Sequence, residues 1–283
     1  PLTFEPRPQR NIALFPGQSP GTNTGPGRLP FPAREETILP DNLTGDFEAS
    51  LEEADKSFIF TYRGRDGVLS YVYRSGTGQL GDIVARWGEG GREFRPLAGG
   101  GVRLWRAGQA EGAEPDKVEL LSCRREGQAV VARWKLTTDN RTAEVACTLR
   151  LWQKSLVIDV ICPGGEVGEV RFGRAEGLDN PRLVTLPYLT GDWNARPAVA
   201  VSGPADRPLF VMGVVDHCRS NASALFFLNR VAEGGATYNG GARYLARTDG
   251  RRNDCYERLF LTVSPLFEEV LPNVPNPPSP WMH

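Results

Sequence analysis

The stretch KVELLSCRREGQAVVARWKLTTDNRTAEVACTLRLWQKSLVIDVIC, Lys117 to Cys162, decides the fold. Lys117 to Cys123 is a β-forming run, Glu126-Gly127 is a turn, and Ala129 to Leu136 is a second run of the same kind. Asp139-Asn140 makes another turn, followed by Ala143 to Trp152 and then Ser155 to Cys162. Consecutive β-runs joined by short polar turns predict an antiparallel meander. Between Thr142 and Trp152 the period is close to two: Ala143, Val145, Cys147, Leu149 and Leu151 share one face. Glu144, Thr148, Arg150 and Trp152 share the other, which is the pattern of a half-buried strand.

The same texture extends outward. Phe47 to Leu51 and Ser57 to Tyr62 alternate, and Arg65-Asp66-Gly67 reads as a tight turn before Val68 to Tyr73. The Gly-rich stretch Thr77 to Arg106 carries Trp87 and Trp105 as core or groove aromatics. Further runs lie at Arg182–Leu189, Ala198–Ser202, Leu209–Asp216, Ser223–Leu228, Ala236–Tyr238 and Glu257–Ser264. Only Ser264 to Leu271 has room for a turn or two of helix. Many strands, almost no helix and no internal repeat predict an all-β chain built as one large antiparallel two-sheet sandwich. Its organisation reads as an extended Gly/Pro-rich arm over 1–40, a sandwich over 41–270, and a Pro-rich linker or strap over 271–283.

Composition limits the function classes. Hydrophobic residues make up 40% of the 283 and charged residues 24%, enough for a folded core and unlike a disordered chain. Basic and acidic side chains number 33 and 34, a balance that argues against nucleic acid or an anionic membrane as the main partner. No run approaches the roughly 20 apolar residues of a membrane span. No secretory signal is visible in a chain that begins at Pro1, so a soluble protein is expected, with cytoplasm and export both open. The five Cys form no CxxC pair and read as buried free thiols, with one disulfide as the alternative. No metal set and no cofactor motif is expected.

Leu149-Arg-Leu-Trp-Gln-Lys-Ser-Leu-Val-Ile-Asp-Val160 resembles the central strands of galactose-mutarotase-like β-supersandwich domains. Arg251 to Ser264, followed by Pro272-Asn-Val-Pro-Asn-Pro-Pro278, is similar to the exit from such a domain in multidomain glycoside hydrolases. The resemblance implies a carbohydrate partner and a neighbouring catalytic domain. The aldose epimerases of that fold use paired histidines with a carboxylate. The only histidines here are His217 and the terminal His283, so mutarotase activity is not expected.

Three stretches carry candidate chemistry. Tyr188 to Arg196 groups Asp192, Trp193, Asn194 and Arg196, an acid, an indole, an amide and a guanidinium suited to holding sugar; an ordinary turn is the plainer reading. Asp216 to Asn221 contains His217, a candidate acid/base or sugar ligand, though a lone His at a strand end is more often structural. Tyr238 to Arg258 offers Tyr238, Arg243, Tyr244, Arg251 and Arg252 for binding, with Asp254 and Glu257 as catalytic carboxylates. The arginines suit the carboxylates or sulfates of an acidic glycan; a solvated hairpin with surface ion pairs is the alternative.

Three functions follow. The chain is a carbohydrate-associated module that binds glycan or supports a glycoside hydrolase domain. Alternatively it is itself a glycoside hydrolase or polysaccharide lyase, using Asp192, His217, Tyr244 and Asp254 or Glu257, with His217 or Tyr244 as the base of a lyase. In the third reading its terminal arms clasp neighbouring subunits in a homo-oligomer.

Overall fold

A computed structural model describes residues 38–273, except 56, 77–78, 108–111, 140 and 187–195 and the side chains of His217 and Cys218. The chain is all-β, with every strand pairing antiparallel. The first sheet runs, in spatial order, β1 (Phe47–Ala54), β2 (Ser57–Gly64), β3 (Gly67–Arg74), β4 (Ile83–Trp87), β5 (Glu93–Ala98), β12 (Arg174–Glu176), β18 (Gly235–Thr237) and β17 (Arg230–Ala232). The second runs β13 (Arg182–Thr185), β14 (Ala198–Ser202), β15 (Leu209–Ser220), β20 (Cys255–Ser264), β10 (Ser155–Cys162), β9 (Arg141–Trp152), β8 (Ala129–Thr138) and β7 (Lys117–Glu126). A smaller third sheet orders β16 (Ala224–Phe226), β19 (Gly241–Arg243), β11 (Val167–Arg171) and β6 (Gly101–Leu104).

The meander expected over Lys117–Cys162 is β7 to β10, an unbroken series of neighbours. Ala143, Val145, Cys147 and Leu149 face the core, as their period requires. One continuous core joins the two large sheets. Phe60, Tyr71 and Ile83 come from the first, and Val130, Trp134, Leu149 and Leu261 from the second. Burying each such side chain is worth about 1.5–3 kcal/mol. Tyr71 also bridges the sheets: its hydroxyl donates to the Lys154 carbonyl at 2.7 Å, so the buried phenol is satisfied.

The outer face of the second sheet is covered in part by the segments at 38–39 and 267–271. Ile38 and Leu39 pack with Val157 and Phe260. Val270 packs with Val199 and Met212. Asn273 N–H donates to the Ile38 carbonyl at 2.9 Å, which ties the two segments together. Most of the 1–40 arm and of the 271–283 strap, including Trp281, lies outside the described residues.

Several elements differ from the sequence expectation. The run expected to end at Asp216 continues to Ser220 through a register shift between Val215 and Ser220. The helical turn expected over Ser264–Leu271 is a short 3-10 turn, Glu268–Val270. Strands β4, β5, β6, β11, β12, β17 and β19 are additional to the runs expected from sequence. They are short, and Gly, Pro and Arg interrupt their apolar pattern, so long-range pairing rather than local propensity forms them. Among the described residues no helix is long and apolar enough to cross a membrane.

Candidate functional site

Four connections meet at the end of the sandwich where β9 begins and β10 ends. Trp105 follows β6, and its backbone N–H donates to the Glu166 carbonyl at 2.8 Å. Arg141 opens β9. Gly164, Gly165 and Glu166 turn the chain from β10 into β11. Residues 247–254 lead from β19 into β20. Between these connections lie two hollows of about 600 and 820 Å³ that share Trp105, Arg141 and Glu166, and so form one groove.

The local sequence explains this shape. Gly164 and Gly165 hold φ of +96° and +71°, a region that side-chain-bearing residues rarely adopt. A Cβ on Gly165 would stand 3.1 Å from the Arg252 carbonyl oxygen, so the turn and the 247–254 loop approach closely only with glycine there. Asp254 fastens the same turn by accepting the Gly164 N–H at 2.9 Å. The loop folds on itself: Arg247 N–H donates to the Arg251 carbonyl at 2.9 Å, and Arg251 N–H to Asp249 at 3.0 Å. Asn253 ties it to the end of β15 by donating to the Asn221 carbonyl at 2.8 Å.

The indole of Trp105 is the centre of the groove. The guanidinium carbon of Arg252 lies 3.9 Å from the ring centroid, and that of Arg141 lies 4.2 Å from it. Arg141 is held by Glu166 at 2.7 Å. Arg252 has no such carboxylate, and its Nε is buried without a hydrogen-bond partner among the described residues. Burial lowers the pKa of Arg252, the neighbouring Arg141 charge lowers it further, and Glu166 opposes both. A guanidinium nevertheless stays protonated. In the second hollow Arg106 pairs with Asp139 at 2.8 Å.

The residues expected from sequence divide sharply. Arg251, Arg252 and Asp254 line the groove. Tyr238 does not: it is 1% exposed, and its hydroxyl donates to the Pro96 carbonyl at 2.8 Å, so it is a core phenol. Arg243 is spent on the buried Glu169, with Nε 2.8 Å from a carboxylate oxygen, and lies over the Phe226 ring. Tyr244 and Glu257 sit in the core, where the Tyr244 hydroxyl donates to Glu257. Ser220 donates to the same oxygen of Glu257 at 3.0 Å, while the second oxygen is buried without a hydrogen-bond partner among the described residues. Burial raises the Glu257 carboxyl to about 7, against the lowering effect of those hydrogen bonds. The expected Asp254–Glu257 acid pair is therefore split, with Asp254 exposed at the groove and Glu257 0% exposed in the core. Glu257 lies within β20, every residue of which is buried, whereas Asp254 precedes the strand in an exposed loop.

Arg196 is exposed and is not part of the groove lining. Asp192, Trp193 and Asn194, and the side chain of His217, lie outside the described residues. Cys123, Cys147, Cys162 and Cys255 are free thiols. Burial pushes Cys147 and Cys162 up to about 12, which suppresses thiolate chemistry. Among the described residues no three His, Cys, Asp or Glu side chains are grouped to hold a metal ion.

Sequence reasoning missed Arg141 and Glu166 as groove residues. The signals available were the Asp139-Asn140 turn beside Arg141 and the Gly164-Gly165 pair beside Glu166, both marks of loops at a sandwich rim. Compared with known proteins, the chain matches no family model and no curated protein.

Proposed function

We propose that this chain is a carbohydrate-associated β-sandwich module that holds a polar saccharide in the groove around Trp105. The observation that carries the reading is the groove itself. Two guanidinium groups lie over one indole there, and carboxylates, an amide and glycine backbone line the same groove at a sandwich rim. Planar donors and acceptors of this kind hold sugar hydroxyls bidentately. A pocket for an apolar ligand would instead be lined mainly by aliphatic side chains. The resemblance of Leu149–Val160 to galactose-mutarotase-like domains supports the same reading, as does the all-β architecture.

The module reading is favoured over catalysis because only Asp254, of the expected pair, reaches the groove, and Glu166, also there, is held in an ion pair by Arg141 at 2.7 Å. A glycosidase needs two carboxyl groups flanking one bond. The test is a binding screen of the full chain against neutral and acidic oligosaccharides, repeated with Trp105→Ala. Binding that the substitution weakens supports the proposal. Binding that it leaves untouched places the sugar elsewhere, and release of cleaved products would replace the module reading with an enzyme.

A further inference from the structure

The groove carries more positive charge than its own carboxylates neutralise. Arg141, Arg247, Arg251 and Arg252 line it against Glu166 and Asp254. This is a local departure in a chain whose net charge is -1. The carboxylates are already engaged: Glu166 with Arg141 at 2.7 Å, and Asp254 with the Gly164 N–H at 2.9 Å. Arg247 has Asp249 at 3.2 Å. Arg252 is left with a buried, unpartnered Nε, and Arg251 projects from the loop as an exposed cation.

Among the described residues the Nε atoms of Arg106 and Arg174 are likewise buried without a hydrogen-bond partner, but each of those side chains has a carboxylate beside it. Buried Lys154 has two carboxylates, and Arg171 and Arg243 share the buried Glu169. A buried donor without a protein partner costs free energy unless a water or a ligand oxygen accepts from it. Crowding Arg252 against Arg141 on one indole adds like-charge repulsion that an anion beside them relieves. The guanidinium groups also occupy the π faces of Trp105 that a neutral sugar would otherwise stack on. The groove thus offers fixed N–H forks and positive charge rather than a bare aromatic platform.

We propose that the ligand is an anionic saccharide whose carboxylate or sulfate is taken by Arg252, with Arg251 and Arg141 contributing charge. This inference rests on the saccharide reading above and names its class. Both anions present paired oxygens that match the guanidinium fork, and Asp254 remains as a hydroxyl acceptor.

The test is calorimetric titration of the full chain at low salt with oligosaccharides of equal length: one neutral, one bearing uronates, one bearing sulfates. At least one acidic probe binds about tenfold or more tightly than the neutral one, and its affinity falls as salt is raised. Arg252→Gln weakens the acidic probe about tenfold or more, the loss expected for one charge-assisted interaction. Arg251→Gln, at an exposed loop position, gives a smaller loss with an unchanged melting temperature, so the site remains testable if Arg252→Gln folds poorly. Equal affinity for neutral and acidic probes overturns the anionic class and leaves the saccharide reading standing. Binding of no probe overturns both. Acidic-probe binding that survives both substitutions places the anion outside this groove and overturns the assignment.

Discussion

The two ends of the sandwich handle charge in opposite ways, and strand β9 connects them. At its start Arg141 enters the open groove. Just beyond its end, in the hairpin turn to β10, Lys154 is 2% exposed. Lys154 meets Asp66, from the β2–β3 turn of the facing sheet, at 2.5 Å, and also bonds to Glu269. The Tyr62 and Trp87 rings lie 5.1 and 5.7 Å from its ammonium. Glu269 further accepts from Ser264 and, at 2.7 Å, from the Leu43 N–H. Burial raises the Asp66 carboxyl, but the hydrogen bond and charge of Lys154 more than reverse this and hold it below its usual value. Every charge in that cluster has partners, and the cluster fastens two hairpin turns from opposite sheets. At the groove end the cations exceed the carboxylates. Compensated buried charge reads as structure, whereas surplus charge at a rim reads as a site for something that is not the protein.

The contrast breaks most visibly at Lys154. Lys154→Ala leaves Asp66 and Glu269 as uncompensated acids at the inter-sheet junction, and the expected loss is about 3–5 kcal/mol by urea denaturation. Arg252→Gln should change stability by no more than about 1 kcal/mol, because it also removes repulsion with Arg141. Equal losses from the two substitutions would erase the distinction between the ends.

A second effect comes from Glu257, which lies in the core between the two ends. Its folded pKa of about 7 stands above its ordinary value of 4.5, so the folded state binds the proton more tightly than the unfolded chain. Stability should then fall as pH rises from about 4.5 to about 7, by at most about 1.4 kcal/mol per pH unit, and level off above that. Glu257→Gln should flatten this dependence in denaturation curves recorded across the range. An unchanged slope in the variant would assign the pH response to other groups.

The smallest expected effect is that of salt. Raising ionic strength should leave the contribution of the buried Lys154 cluster nearly unchanged, yet weaken anionic ligand binding at the exposed groove severalfold. Denaturation and titration in the same salt series separate the two.

How much of this was legible in the sequence follows from the range of the interactions. The period of two in Ala143–Leu151 and the turns at Glu126-Gly127 and Arg65-Asp66-Gly67 are local, so the meander and the first hairpin were readable. Strand β11 was not, because Val167–Arg171 pairs with β6 and β19, far away in sequence. The same limit applied to the site. Arg251, Arg252 and Asp254 stood out because they are close together in the chain. Their partners Trp105, Arg141 and Glu166 reach them only through the sheet topology. The boundary between the exposed loop and the wholly buried strand β20 separates Asp254 from Glu257, although they are three positions apart in sequence.

The most direct test of the account is a thermal shift at low salt, comparing the full chain with Arg252→Gln, each with and without an acidic oligosaccharide. The account predicts that the ligand raises the melting temperature of the unsubstituted chain and leaves that of the variant nearly unmoved. Equal shifts in both proteins, or none in either, would contradict it.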